Sequence, residues 1–210
     1  MREIAEILLK IKAVTLSPDA PFTWASGIKS PIYCDNRLIL SYPEEREKVE
    51  NALCDLIRRE FSDAGCLMGT ATAGIPHAAI CGWQLGLPMG FVRAKAKDHG
   101  KENAVEGVVP TGIKTVVVED LVSTGGSSLQ VVDTLRSVGA DVQGMVAIFT
   151  YGMKRAEEAM TVADVKLFTL TDLTELLSVA LESGYIDAKQ QRKLLAFREN
   201  PSDPSWQKMD

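Results

Sequence analysis

The chain has 210 residues, 46% hydrophobic and 24% charged, which suits a single soluble globular domain with a substantial core. The net charge of −5 disfavours nucleic acid as the main partner, and no apolar run approaches the roughly 20 residues that span a membrane. The four cysteines lack C-x-x-C spacing and the first residues lack the apolar core of a signal peptide, so we expect reduced thiols and a cytoplasmic location.

The start of the chain predicts one helix and an irregular hairpin. Apolar residues recur at helical spacing in the first turns, at Ile4, Ile7, Leu8 and Ile11. Residues 22–37 combine aromatic side chains with Gly27, Pro31 and two cations, which predicts tight turns and aromatic packing in the core. A second helix is predicted from Pro43, because proline is favoured in the first turn of a helix.

A strand, a small-residue loop and a helix follow in the next third of the chain. Residues 66–69 predict a short buried strand, and a helix is predicted from about Pro76 to Leu85. The connecting residues 70–76 are small and hydroxylated, and free N–H groups at a helix start can bind an anion. An ordinary strand-to-helix loop is the alternative interpretation. Residues 87–92 predict the next strand.

The densest positive stretch of the chain is residues 93–103, which contain four basic residues and a histidine. Gly100 and the polar residues predict a mobile loop, which is either a solvated basic surface or a lid for an anion. Residues 105–112 are predicted to form a β-hairpin.

Residues 116–128 are the most informative part of the chain. Residues 116–118 are all valine, as in a strand that is buried on both faces of a parallel sheet. Glu119 and Asp120 follow, and then a loop of serine, threonine and glycine leads into an amphipathic helix that ends at Gly139. Glycines and helix N–H groups cradle phosphate, whereas carboxylates repel it and instead bind sugar hydroxyls or magnesium. The pattern therefore indicates a ribose 5-phosphate site, with a capped turn and solvated acids as the alternative.

The last third predicts two more strands and two helices. The strands cover residues 142–149 and 165–170, and the helices run from about 172 to 182 and from 187 to 197. The polar residues 200–210 are predicted to fray. Strands that alternate with helices indicate an α/β fold with a mainly parallel sheet.

Three stretches of the sequence resemble one family. Residues 116–128 resemble the motif by which type I phosphoribosyltransferases bind 5-phosphoribosyl 1-pyrophosphate (PRPP). The segment S-G-x-K-S-P-x-Y at residues 26–33 resembles the N-terminal hood of orotate phosphoribosyltransferases, and R-x-K-x-K-D-H-G at residues 93–100 resembles their catalytic loop. Neither G-x-x-x-x-G-K-[ST] nor a G-x-G-x-x-G after a strand occurs.

The resemblance implies the type I phosphoribosyltransferase fold, a mainly parallel central sheet flanked by helices, with a small N-terminal hood. One domain is expected, with a core of about residues 43–170 and a hood made by about residues 1–42 plus the C-terminal helices. The implied reaction converts orotate and PRPP to orotidine 5′-monophosphate and pyrophosphate in pyrimidine synthesis. The implied cofactor is Mg²⁺, which is held mainly through PRPP, with Asp120 as the implied ligand from the protein. The implied assembly is a homodimer with shared active sites.

The resemblance also assigns residues to each part of the site. Lys97 and Asp120 are the implied catalytic residues. The PRPP-binding positions are Arg93, Lys97, His99, Glu119, Asp120, Leu121, Val122, Ser123, Thr124, Gly125, Gly126 and Ser127. The pyrophosphate loop is Thr70, Ala71, Thr72, Ala73 and Gly74. Orotate is expected to contact Ser123, Lys29 and Tyr33, with Ile32 and Cys34 nearby.

Some family positions differ in this chain. Ala25, Ala73 and Ala94 stand where many members have lysine, and residues 150–152 lack an arginine found in many members. Two other functions share the motif at residues 116–128. One is a phosphoribosyltransferase for a purine or uracil, and the other is a PRPP sensor that binds nucleic acid. The hood and loop segments argue against the first, and the acidic composition argues against the second.

Overall fold

The computed structural model describes residues 1–23, 27–93 and 104–209. Its helices are α1 (Arg2–Lys10), α2 (Pro43–Glu60), α3 (Gly74–Leu85), α4 (Gly126–Ser137), α5 (Lys154–Val162), α6 (Leu173–Glu182) and α7 (Ala188–Glu199). Two 3₁₀ helices cover Asn36–Ser41 and Pro204–Lys208. The strands are β1 (Val14–Leu16), β2 (Phe22–Thr23), β3 (Lys29–Ser30), β4 (Ile32–Cys34), β5 (Cys66–Thr70), β6 (Met89–Val92), β7 (Val105–Glu106), β8 (Lys114–Val122), β9 (Asp141–Thr150) and β10 (Leu167–Asp172).

The central sheet has the order β10-β9-β8-β5-β6-β7, and every neighbouring pair is parallel except β6 and β7. The valines of β8 alternate between its two faces, as strand geometry requires. Val116 and Val118 join one apolar cluster, with residues of α1, α2, α3, α6 and α7, and Val117 joins another, with residues of α4 and α5. The predicted fold class is therefore confirmed, with β8 buried on both faces.

Two small antiparallel pairs precede the central sheet. β1 pairs with β4, and β2 pairs with β3 in a hairpin that contains Gly27 at a φ of 83°. The turns expected here are present, but the two described aromatic residues, Phe22 and Tyr33, do not enter the core. Tyr33 is 45% exposed and its ring centroid lies 5.6 Å from that of Phe22. Ala25 lies outside the described residues.

The hairpin expected over residues 105–112 is wrong. β7 pairs instead with β6, through Val92 with Val105 and Phe91 with Glu106. A Cβ at Gly90 would lie 2.5 Å from the carbonyl oxygen of Glu106, so the close approach of the two strands depends on glycine. The pairing partner is set by this long-range contact, which local alternation does not encode.

The expectation that the C-terminal tail frays is also wrong. The 3₁₀ helix Pro204–Lys208 begins after Asp203, whose side chain accepts a hydrogen bond from the backbone N–H of Ser205. Trp206 is 1% exposed and its ring meets that of Phe197 edge-on, with centroids 5.7 Å apart. Burial of one large aromatic side chain outweighs the polar composition around it.

Across the described ranges, no helix combines the length and the apolar character that crossing a bilayer requires. The four cysteines are free thiols.

Candidate active site

Two strand–loop–helix units stand side by side at one edge of the sheet. β5 leads through residues 71–73 into α3, and β8 leads through residues 123–125 into α4. Because β5 and β8 are parallel neighbours, both loops leave the sheet at the same edge. Between them lies a cavity of about 600 Å³.

The cavity brings together most of the predicted phosphate and sugar residues. Those that line it are Thr70, Ala71, Thr72, Ala73, Arg93, Glu119, Asp120, Leu121, Ser123 and Ser127. The predicted residues Gly74, Val122, Thr124, Gly125 and Gly126 shape the loops without lining it, and Val122 is fully buried.

Sequence reasoning missed part of the cavity wall. Val92, Ala104, Gln130, Val131, Asp133 and Thr134 also line it. Four of the α4 residues, 127, 130, 131 and 134, follow the i, i+3, i+4, i+7 spacing of one helix face. Extending the motif helix along that face would have identified Gln130, Val131 and Thr134.

The loop after β8 is built to present backbone N–H groups. Gly125 has a φ of 80°, a left-handed conformation that favours glycine, and it caps α4 without a side-chain hydrogen bond. A Cβ there would lie 3.2 Å from the Cε atom of Met160. The N–H groups of the first turn are therefore uncapped by Gly125 and suit an anion.

The loop after β5 has the same design. Ala73 precedes α3 and makes no side-chain cap, and the Ala71–Thr72 peptide bond is cis. A Cβ at Gly74 would lie 2.4 Å from the carbonyl oxygen of Val118, so glycine lets α3 start directly against β8. Like α4, α3 therefore starts without a side-chain cap, an arrangement that suits an anion.

The acid pair occupies two different environments at the end of β8. Glu119 is 7% exposed, and its carboxylate accepts hydrogen bonds from the hydroxyls of Thr70 at 2.5 Å and Ser128 at 2.8 Å. It also accepts the backbone N–H of Asp120 at 3.0 Å. The acid predicted to meet ribose hydroxyls is thus already bonded to this chain's own donors.

Asp120 carries the perturbed carboxyl of the pair. Burial, and then the negative charge of Glu119, raise the pKa of Asp120 to about 7, although backbone N–H donors act in the opposite direction. Its carbonyl oxygen accepts a 2.8 Å hydrogen bond from the side-chain amide of Asn36, which is fully buried. Asn36 therefore fastens the first 3₁₀ helix to the end of β8.

The basic residues of the predicted lid are described only in part. Arg93 lines the cavity, and its Nε lies 3.1 Å from a carboxylate oxygen of Glu106. Lys97 and His99 lie outside the described residues.

Of the predicted orotate contacts, Ser123 lines the cavity, whereas Lys29 and Tyr33 do not. Lys29 donates a 2.7 Å hydrogen bond from its Nζ to the hydroxyl of Thr23. Ile32 is fully buried.

The thiol of Cys34 donates to Oδ1 of Asn36 at 3.4 Å, and Asn36 in turn donates to the backbone of Asp120, so the end of β4 lies near the acid pair. Burial, and then the charge of Asp120, raise the pKa of Cys34.

Residues 150–152, where many family members have an arginine, lead from the end of β9 towards α5. The hydroxyl of Thr150 donates to the carbonyl oxygen of Val122 at 3.0 Å and accepts the N–H of Gly152 at 3.1 Å. Because these residues are threonine, tyrosine and glycine, this connection supplies no cation.

Comparison with known proteins gives a consistent result. Residues 43–175 match the model of the phosphoribosyl transferase domain family. The chain is 55% identical over 201 residues to the orotate phosphoribosyltransferase of Staphylococcus saprophyticus, covering 96% of this chain and 99% of that one. It is 54% identical to the orotate phosphoribosyltransferase of Bacillus pumilus, covering 97% and 96% of the two chains. Among solved structures, it is similar to the orotate phosphoribosyltransferase of Aeropyrum pernix, with a TM-score of 0.75, 28% identity and coverage of 87% and 99%.

Proposed function

The chain belongs to the orotate phosphoribosyltransferase family, and from this premise we propose that it converts orotate and PRPP to orotidine 5′-monophosphate and pyrophosphate in de novo UMP synthesis. One observation carries this proposal. The identity of 55% is measured over 96% of the chain, a span long enough to contain both phosphate loops, the acid pair and the hood segment.

The sugar phosphate is assigned to the end of β8. Residues 123–127 bind the 5-phosphate through backbone N–H groups and hydroxyls, in the geometry of a helix N-terminus. Asp120 binds the ribose hydroxyls, and its negative charge stabilises the positive charge that develops on the ribose as the pyrophosphate leaves. The uncapped start of α4 supports this assignment.

The leaving pyrophosphate is assigned to the loop of residues 70–74 and to the basic residues beside it. Ala73 replaces a lysine of many family members, so backbone N–H groups carry more of the binding here. Arg93, Lys97 and His99 neutralise the charge that develops on the leaving group, and Lys97 is the assigned proton donor.

Magnesium is the assigned cofactor, and the oxygen donors of the cavity fit it. Mg²⁺ commonly uses one or two carboxylates together with substrate phosphates, which matches Asp120 beside a PRPP site. Within the described ranges, no group of three or more His, Cys, Asp or Glu residues forms a dedicated metal cage. When bound, Mg²⁺ supplies charge neutralisation at the pyrophosphate oxygens.

Orotate is assigned to the space between the hood and the acid pair. Ser123, Lys29 and Tyr33 are its proposed contacts, and the hydrogen bonds that connect Cys34 to Asp120 through Asn36 support this placement. The proposed organisation is one phosphoribosyltransferase domain, with a core of about residues 43–170 and a hood of about residues 1–42 plus the C-terminal helices. This chain has Ala25 and the uncharged residues 150–152 where many relatives have a lysine and an arginine. The carboxylate of orotate is therefore held here without those two cations.

The proposed assembly is a cytoplasmic homodimer with shared active sites. The dimer follows from the family resemblance of the catalytic loop. Four free thiols suit a reducing compartment. Light scattering after gel filtration tests the dimer, since a monomer at working concentration would contradict it.

The deciding experiment follows the absorbance of orotate after PRPP is added, with and without Mg²⁺. Uracil and hypoxanthine are run in parallel. Magnesium-dependent loss of orotate alone supports the proposal. Turnover of another base instead would place the enzyme elsewhere among phosphoribosyltransferases, and PRPP binding without turnover of any base would favour a sensor.

A further inference from the structure

Both carboxylate oxygens of Glu119 are engaged by donors of this chain. Oε1 accepts the hydroxyl of Thr70 at 2.5 Å and the N–H of Asp120 at 3.0 Å, and Oε2 accepts the hydroxyl of Ser128 at 2.8 Å. A carboxylate offers about four acceptor positions, so three are already filled. One acceptor position is left, so a sugar diol that donates two hydroxyls to this carboxylate would have to displace one of these bonds.

The two hydroxyl donors belong to different phosphate loops. Thr70 is the last residue of β5 and opens the loop of residues 70–74, whereas Ser128 lies in the first turn of α4. Both are buried, at 4% and 1% exposure. Glu119, on the strand between these elements, is bonded to each of them.

Packing around Thr70 keeps this connection tight. A Cβ at Gly74 would lie 2.5 Å from the Thr70 hydroxyl oxygen, so α3 begins directly against the atom that donates to Glu119. The Thr70 hydroxyl also lies 3.5 Å from the carbonyl oxygen of Val118. A displacement of the loop would therefore break the bond to Glu119.

We propose that Glu119 is a positioning residue that couples the pyrophosphate loop to the 5-phosphate loop. This inference rests on the proposed function, because it takes the two loops as the two phosphate subsites of one PRPP site. Through the hydrogen bonds of Glu119, each loop is held in its binding geometry partly by the other loop.

The test measures binding of two fragments of PRPP, pyrophosphate and ribose 5-phosphate, by calorimetry in magnesium-free buffer. Ser128→Ala is expected to weaken pyrophosphate binding, although Ser128 lies in the other loop. Thr70→Val is expected to weaken ribose 5-phosphate binding in the same way. Each effect should be about fivefold to thirtyfold, the size of coupling within one hydrogen-bond network. The pyrophosphate result is decisive because pyrophosphate has no hydroxyls for Glu119 to bind.

The chain offers a matched control for each variant. Thr72 and Ser127 are exposed neighbours in the same two loops. Thr72→Val should weaken only pyrophosphate binding, and Ser127→Ala only ribose 5-phosphate binding. Thr70→Ser keeps the hydroxyl and should restore the binding that Thr70→Val loses, which separates the lost hydrogen bond from a folding defect.

Replacing Glu119 itself separates positioning from direct contact. Glu119→Gln retains an oxygen for Thr70 and Asp120 and an amide for Ser128, so it should bind both fragments far better than Glu119→Ala. We call the effect of a substitution on the fragment bound by the other loop its cross-effect. In the Glu119→Ala background, Thr70→Val and Ser128→Ala should have no further cross-effect. Equal damage from Gln and Ala would overturn the proposal, because that result identifies a charged ligand.

The outcomes also separate this inference from the proposed function. Orotate turnover by the wild-type protein without any cross-effect would overturn the coupling and leave the function standing. Absence of orotate turnover with clear cross-effects would overturn the function and leave the coupling standing. Failure of the wild-type protein to bind either fragment would overturn both.

Discussion

At the scale of single residues, Asp120 combines a functional role with a cost to stability. Its pKa is raised to about 7 in the folded protein, mainly by burial and then by Glu119, against an ordinary value of 3.8. Between these values the folded state holds a proton that the unfolded state has released. The free energy of unfolding contributed by this group therefore falls as pH rises from about 4 to about 7.

Asp120→Asn is accordingly expected to stabilise the ligand-free protein at pH 8, on the order of 4 kcal/mol, and to leave it unchanged near pH 4. Turnover should fall at the same time, because the carboxylate is lost. Thermal melts of both proteins across this pH range check the prediction. Asp133→Asn, at an exposed acid of the same cavity, is the control. A stabilisation that is equal at both pH values would show that the pH-dependent loss in free energy of unfolding does not come from the ionisation of Asp120.

Lys97 and His99 belong to the same scale, although they lie outside the described residues. Because their assigned work is on the leaving pyrophosphate, Lys97→Ala and His99→Ala are expected to lower kcat by about 100-fold, with little change in melting temperature. Steady-state turnover measured beside thermal denaturation checks this. Lys101→Ala, a loop lysine without an assigned role, serves as the control. Full activity of both variants would remove these residues from the mechanism.

At the scale of elements, the C-terminal 3₁₀ helix acts as part of the core. Trp206 is 1% exposed and contacts Phe197 of α7, so Trp206→Ala should destabilise the protein by about 3–5 kcal/mol. Denaturant unfolding measures the loss. Gln207→Ala, at the exposed next position, should stay within about 0.5 kcal/mol of the wild type. If both variants unfold like the wild type, the tail contributes nothing to stability.

Elements with a strong local pattern could be predicted from the sequence. The valine run of β8, the proline start of α2 and the glycine-rich loop before α4 carry their own periodicity or turn chemistry, and the structure confirms each element. The position of β7 could not be predicted, because its pairing partner β6 lies on the far side of residues 93–103 in the sequence. The ordered tail could not be predicted, because it depends on the burial of Trp206 against Phe197. The hydrogen bonds of Glu119 to Thr70 and Ser128 also join separate elements. Residue types alone do not encode them, so the sequence predicts a carboxylate that is available to bind sugar hydroxyls.

At the scale of the whole molecule, a chain with a net charge of −5 has to bind polyanions. The favourable field is therefore local and arises, among the described residues, from two helix starts and Arg93 at the cavity. Because a ligand bound there binds only the folded protein, it should raise the free energy of unfolding. Pyrophosphate at about 100 times its dissociation constant should add about 2.7 kcal/mol to the free energy of unfolding. Melting curves with pyrophosphate, against sodium chloride at equal ionic strength, test this. No rise in melting temperature would show that the ligand does not bind the folded state selectively.

The docked tail also gives the molecule a pair of optical reporters. Trp206 is 1% exposed beside Phe197, whereas Trp83 on α3 is 83% exposed. The fluorescence of Trp206 should be blue-shifted and shielded from iodide quenching, and that of Trp83 red-shifted and readily quenched. With Trp24 and Trp83 changed to phenylalanine, the remaining emission would report the attachment of the last residues alone, in real time, while the catalytic cavity fills and empties elsewhere in the fold.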